Sequence, residues 1–221
     1  MGGHFITFEG GEGSGKSTHA ATLAQRLKDV GFEVVLTREP GGSTGAEIIR
    51  HILLSGIAKP LGAETEAILF AAARDDHVRN TIFPAIQSGQ WVICDRFIDS
   101  TRVYQGVVGN VDQRLIRSLE RVTVGPAFPE LTFILDVPAQ IGLARAKSRR
   151  GTDAADRFEA ESMAFHEKLR QAYRALAAEE PDRCVVIDGR APRDVVSERI
   201  WSVVRARFDV ERTEAEQRIA P

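Results

Sequence analysis

The sequence is poor in cysteine: Cys94 and Cys184 are the only two among 221 residues, and each sits inside an apolar run. Two such thiols, with no C-x-x-C pair and no clustered histidine, exclude a zinc site and a disulfide framework. No apolar run approaches the ~18 residues that a membrane-spanning helix needs. The opening residues, MGGHFITFEG, carry no basic segment followed by an apolar one, so no secretory signal is read there and a cytoplasmic location is expected. No sign of charge dominates. Against 29 Lys and Arg stand 31 Asp and Glu, a formal net charge of −2, so no global basic field points to nucleic acid or an anionic membrane. Internal repeats and Pro-, Ser- or Gly-rich linkers are also missing. One domain over residues 1–211 is expected, with a polar tail over 212–221.

What is present is a succession of five short apolar runs rich in Val, Ile and Phe: residues 4–9, 33–37, 91–95, 131–136 and 184–188. They lack strict polar alternation, which is how parallel strands buried on both faces read. Helical patterns lie between them. Ala20, Leu23, Ala24 and Leu27 mark one face of a first helix, and Gly31 is its natural stop. Thr44 and Glu47 read as a capping box ahead of a helix that ends near Ser55 and Gly56. Residues 64–88 read as one longer helix ended by Gly89, and 111–124, 138–148, 158–178 and 193–208 as further helices. Strands alternating with helices predict an α/β fold: a five-stranded parallel sheet flanked by helices, with right-handed crossovers. The charged stretch AKSRRGTDAADRFE (146–159) breaks this rhythm. It reads either as a solvated loop or, over about 146–157, as a mobile lid.

The strongest local signal is Gly10-Gly11-Glu12-Gly13-Ser14-Gly15-Lys16-Ser17, which matches GxxxxGK[ST]. It lies, as it must, between a strand and an amphipathic helix. Such a P-loop turns backbone N–H groups toward phosphates, and the following helix adds the partial positive charge of its N-terminus. Residues Gly10 to Gly15 with Lys16, Ser17 and Thr18 are therefore the expected triphosphate cradle. Lys16 is expected to reach the β- and γ-phosphates and the Ser17 hydroxyl to ligate Mg²⁺. The motif alone does not separate a kinase from a GTPase, a motor or a switch, though the NKxD base-recognition motif of GTPases is absent.

Further candidates follow the other strands. The run 91–95 ends in Asp95, suited to holding metal-bound water, and Arg96 comes next, suited to a bidentate clamp on an acceptor phosphate. Spacing leaves a second reading open, in which these two cap the next helix and pair with each other. Glu39-Pro40-Gly41-Gly42 is a turn by composition, and it either presents Arg38 and Glu39 to a site or merely connects. Phe70 and Arg74 share a helix face, as a stacking ring and a base-edge reader or as core and surface.

Together these segments resemble bacterial thymidylate kinases, a family of P-loop nucleoside monophosphate kinases. The matching pieces, in the family's order, are FEGGEGSGKST (8–18), TREPGGSTGAEIIR (37–50), LFAAARDDH (69–77), DRFIDSTRVYQG (95–106), LDV (135–137) and RRGTDAADRFE (149–159). The resemblance implies transfer of a phosphoryl group from ATP to dTMP with Mg²⁺, feeding dTTP synthesis, by a homodimer. It further implies that Phe70 stacks on thymine and Arg74 hydrogen-bonds its carbonyl edge. Thr101 and Gln105 contact the base, and Tyr104 packs where a ribose 2′-hydroxyl would sit. Glu12 accepts from the 3′-hydroxyl, Arg96 binds the acceptor phosphate, and Glu9, Arg38 and Glu39 help place acceptor and metal. The P-loop carries no arginine, and relatives of that kind supply arginines from the lid. Arg145, Arg149, Arg150 and Arg157 lie there. Arg150, with Arg149 as second choice, is expected to close over the transferring group, a role worth ~10³-fold or more in rate. Gly189 to Pro192 is expected to wall the adenine. Two residues depart from the family's habit: Phe97, where Tyr or His is common, and Arg102, expected to alter the edge of the base pocket. A kinase for another nucleotide or nucleoside, or a non-catalytic nucleotide switch, are the alternatives.

Overall fold

Each of the five apolar runs becomes a strand of one sheet in the computed structural model, which describes residues 3–151, 157–208 and 210. The strands are β1 (Phe5–Glu9), β2 (Val34–Arg38), β3 (Trp91–Asp95), β4 (Leu131–Asp136) and β5 (Cys184–Asp188). Their spatial order is β2-β3-β1-β4-β5 and every pair is parallel. β1 is buried along its whole length, as the absence of polar alternation requires. Its two neighbours lie on opposite sides, so the chain reverses its direction of winding there. A crevice opens at the carboxyl ends of the strands at such a point. The register brings those ends level: Phe8 and Arg38 both pair with Asp95, and Glu9 pairs with Ile134.

Helices cover both faces. α1 (Lys16–Asp29) and α9 (Arg193–Phe208) bury Leu23, Leu27, Ile200 and Val204 against Phe8, Ile93 and Phe133. On the other face Phe5, Val92 and Cys94 meet Val78, Ile82 and Phe97. A third cluster joins Tyr104 to Leu169 and Tyr173 of α8 (Met163–Glu179).

The sequence reading and the structure differ in four places. The helix expected over 64–88 is α3 (Gly62–His77), a π-helical turn (Val78–Ile82) and α4 (Phe83–Gln87). Pro84 has no N–H to donate and its ring would press on the preceding turn; the wider π turn accommodates both. Residues 98–108, read only as a motif, are helical: α5 (Ile98–Thr101) runs into a π segment (Arg102–Val108). Thr101, Val103, Val107 and Val108 are β-branched and Gly106 is flexible, so local preference argued against a helix and packing overrode it. The cap of α2 (Thr44–Leu54) is Ser43, not Thr44, and the capping acceptor comes from elsewhere. Asp76 on α3 accepts from Ser43 Oγ at 2.6 Å and from the Gly45 and Ala46 N–H groups at 3.0 and 3.2 Å. Glu47 reaches back to the Gly42 N–H at 3.0 Å. Last, α7 (Ala139–Arg150) runs to the end of the arginine pair, and α8 starts later than expected, where Ser162 accepts from the Phe165 N–H. The intervening α6 spans Gln113–Thr123. The expected lid straddles 152–156, and these residues, like the expected tail over 212–221, lie outside the described residues.

Candidate active site

The cleft at the carboxyl ends of β1, β2 and β3 is walled on one side by the glycine loop and on the other by α3 and the 98–108 helix. The loop leaves β1 at Gly10 and bends with positive φ at Gly10, Gly13 and Gly15. One neighbour is pressed against it. A Cβ on Gly13 would lie 1.9 Å from the carbonyl oxygen of Gly142 on α7, and one on Gly142 would lie 2.3 Å from the carbonyl oxygen of Glu12. So α7, which carries Arg145, Arg149 and Arg150, rests directly on the glycine loop. Lys16 Nζ donates to Gly11 O at 2.8 Å, and the buried Ser14 Oγ has no partner among the described residues. Burial, and then the nearby Arg96 guanidinium, push the Lys16 ammonium down to about 8.

Asp95 and Arg96 do not pair with each other. Ser17 Oγ donates to Asp95 Oδ2, while Asp95 Oδ1 is buried with no hydrogen-bond partner among the described residues. Arg96 Nη2 donates to Glu12 Oε1 at 2.5 Å, and Nη1 donates to Gly10 O at 3.1 Å and Ser100 Oγ at 3.3 Å. The guanidinium lies 5.3 Å from the Tyr104 ring centroid, and Tyr104 OH also donates to Glu12 Oε1, at 3.1 Å. Burial works against the Glu12 charge, but Arg96 and Lys16 hold its carboxyl down at about 2. Burial works against the Arg96 charge as well, yet Tyr104, Glu12 and Tyr173 keep it above the ordinary arginine value.

Glu9 does not line the cleft. It is fully buried and accepts from the Phe97 and Ser100 N–H groups at 2.7 and 3.1 Å, from Ser100 Oγ at 2.7 Å and from Tyr173 OH at 2.9 Å. Its contacts hold the turn that carries Arg96. Burial and the charge of Asp99 push its carboxyl up to about 7.

Phe70, Arg74, Thr101, Tyr104 and Gln105 all line the cleft, as do Arg38 and Glu39. Arg74 is buried: Nε donates to Glu39 Oε2 at 2.8 Å, and Nη2 donates to Phe97 O at 3.2 Å and Thr101 Oγ1 at 3.1 Å. Arg38 is half exposed and donates to Glu47 at 2.9 Å. Phe97 needs no polar tip, since its ring packs edge-on against Phe5 at 4.9 Å and its carbonyl serves Arg74. Arg102 is not at the edge of the base pocket. It leaves the cleft to pair with Glu120 and Glu180, because successive residues on a helix lie about 100° apart and Arg102 is turned off the face that Thr101 presents to the cleft.

The four lid arginines have four different positions. Arg149 lines the cleft, is 66% exposed and lies 3.5 Å from Glu159 Oε1; Arg150 pairs with the other Glu159 oxygen and does not line the cleft. Arg157 pairs with Glu66 of α3 at 2.8 Å and lies over the Phe158 ring. Arg145 Nη1 donates to Gly189 O at 2.9 Å, tying α7 to the segment after β5. Ser100 lines the cleft, and Tyr173 and His77 stand behind it on Glu9 and Glu39; the sequence reading assigned none of them, since their partners are distant in sequence.

A family model described as thymidylate kinase matches residues 8–200. The chain belongs to the thymidylate kinase family. Thymidylate kinases of Nitrobacter winogradskyi and Afipia carboxidovorans are each 60% identical to it over 93% of this chain, and 89% and 90% of theirs. A crystal structure of thymidylate kinase from Ehrlichia chaffeensis superposes with a TM-score of 0.74 at 34% identity, over 92% of this chain and 99% of that one. The family's P-loop thus sits here under α7 with no room for one added methyl group. Gly142→Ala is expected to push α7 off the loop and to raise the concentration of nucleoside triphosphate needed for half-saturation by about tenfold or more, read by equilibrium titration.

Proposed function

We propose that this chain phosphorylates dTMP to dTDP with ATP as donor, supplying dTTP for DNA replication in the cytoplasm. The observation that carries the reading is Arg96. Its guanidinium touches the donor loop at Gly10 and Glu12 and stacks on Tyr104 of the acceptor wall, so it lies where the two phosphate chains must meet. The acceptor's nucleophile is a phosphate oxygen that is already ionised. No general base is required, and catalysis reduces to positioning and charge stabilisation.

The roles follow from position. Residues Gly10 to Thr18 cradle the ATP phosphates, with Lys16 over the β- and γ-groups. Phe70 offers its ring to thymine, Arg74 and Gln105 face the base edge with Thr101, and Tyr104 closes the sugar's 2′ side. Glu12 is held by Arg96 and Tyr104 and accepts from the 3′-hydroxyl. Glu39 acts through Arg74, and Arg38 lies nearer the acceptor phosphate. Glu9 supports the Arg96 turn from behind. The residues present fit Mg²⁺: the buried Asp95 Oδ1 lacks a partner, and Ser17 Oγ lies against the same carboxylate. No group of three or more His, Cys, Asp or Glu converges among the described residues, in keeping with a cation that takes most of its ligands from phosphate and water. When bound, the ion neutralises charge on the donor phosphates.

Arg149 is the arginine of the expected lid best placed to meet the transferring group, since it lines the cleft and Arg150 does not. Residues 1–211 act as one kinase domain. Exposed Ile48 on α2, Ile68 on α3 and Val122 on α6 support a homodimer built on these helices.

An ADP-release panel with Mg-ATP tests the function. The expected order is dTMP first, dUMP weaker, and dCMP, AMP and GMP near background. A thymine methyl is worth only ~1–3 kcal/mol, so dUMP is disfavoured and not excluded. Equal release with every acceptor, or none with dTMP, would sink the reading. Arg149→Ala is expected to lower kcat by about a hundredfold or more while dTMP binding changes little; steady-state kinetics paired with dTMP titration checks the split.

A further inference from the structure

One polar chain at the back of the acceptor wall takes no part in holding phosphate. His77, at the end of α3, is completely buried. Its Nδ1 lies 3.1 Å from Glu39 Oε1 and its Nε2 lies 2.7 Å from Thr37 Oγ1. A carboxylate only accepts, so Nδ1 carries the proton. In the neutral ring Nε2 then accepts from the Thr37 hydroxyl. The other Glu39 oxygen, Oε2, accepts from Arg74 Nε at 2.8 Å. The carboxylate is therefore gripped on both sides, by His77 from behind and by Arg74 from the cleft. The backbone has been shaped around this chain. A Cβ on Gly42, whose φ is +86°, would fall 2.4 Å from both His77 Nε2 and Thr37 Oγ1. The second glycine of the Glu-Pro-Gly-Gly turn thus leaves the space that the histidine–threonine hydrogen bond fills.

We propose that His77 is a positioning residue for base selection: by fixing Glu39 it sets the plane of the Arg74 guanidinium against the base. The inference rests on the reading of Arg74 as the group that meets the base edge. Arginine offers only donors. A base that presents a carbonyl satisfies them, and one that presents an amino group leaves buried donors facing donors. That penalty is large only if the guanidinium cannot turn away. Thr101 and the Phe97 carbonyl hold one end of it, and the Glu39–His77–Thr37 chain holds the other. Freed from His77, the Glu39 carboxylate rotates and Arg74 rotates with it, so the amino-bearing base is tolerated and the carbonyl-bearing base is held less well.

The test compares kcat/KM for dTMP and dCMP in the full-length protein and in two variants. His77→Asn keeps an amide N–H near the position of Nδ1 and so retains the Glu39 contact. His77→Gln places its amide near Nε2 and loses that contact. His77→Gln is expected to raise KM for dTMP and to lower the dTMP-to-dCMP preference, each by about tenfold, with KM for ATP unchanged. His77→Asn is expected to keep most of the preference. A purely structural role would lower the unfolding midpoint of both variants and leave the preference intact; that result overturns the proposal, as does equal loss in both. Wild-type protein that uses dCMP as well as dTMP would instead overturn the base-edge reading itself. If His77→Gln does not fold, Thr37→Val, which removes the hydroxyl from the other ring nitrogen, is expected to lower the same preference about threefold, and an unchanged preference there overturns the proposal.

Discussion

The site is organised by one guanidinium in an uncommon backbone conformation. Arg96 follows the last residue of β3 with φ of +68°, a region that costs a side-chain-bearing residue of order 1–3 kcal/mol. Its surroundings over-determine it. The Arg96 N–H donates to Phe8 O at 2.9 Å, and the next turn is pinned by Glu9 through the Phe97 and Ser100 N–H groups. The left-handed turn aims the side chain back over the sheet toward the glycine loop, where Glu12 receives it. Without that turn the chain would leave β3 pointing away from the donor phosphates, and the two halves of the cleft would have no charged group in common.

The same arrangement sets the electrostatics. Burial and the Arg96 guanidinium lower the readiness of Lys16 to hold a proton, and Glu12 offsets them. Among the described residues Ser14 Oγ in the glycine loop and Asp95 Oδ1 in the cleft wall have no hydrogen-bond partner. Phosphate oxygens then meet groups that the fold already holds in place. Little reorganisation is then left for the transfer itself. The kinase family explains why a cradle of this kind faces a second, base-shaped wall; a nucleotide switch would need only the first.

Sequence alone made some of this legible, and the dividing line is the range of the interaction. The five strands and the phosphate loop were readable because periodicity, glycine placement and helix start signals lie within a few residues of one another. Phe70 and Arg74 were readable as one face of one helix. Glu9 was not: its acceptor role depends on Ser100 and on Tyr173, 164 residues away, and the role inferred for it from the family placed it on the cleft instead of behind it. Arg102 was misjudged because the helix it occupies runs against its own β-branched composition, and only a helix turns it toward Glu120 and Glu180. The α2 cap was misread by one residue because the acceptor, Asp76, is supplied by a neighbouring helix. Of the lid, the arginines were visible as charges, but their separation into a cleft residue, two anchored residues and a strap to Gly189 depends on partners that no local pattern names.

The most direct test of the account is the kinetics of Arg96→Lys, which keeps the charge and removes the planar fork. If Arg96 joins donor and acceptor through several simultaneous contacts, kcat/KM for dTMP should fall by about a hundredfold or more, with ATP affinity within a few fold of wild type. Turnover within about twofold of wild type would contradict it, because a point charge would then serve as well as the fork.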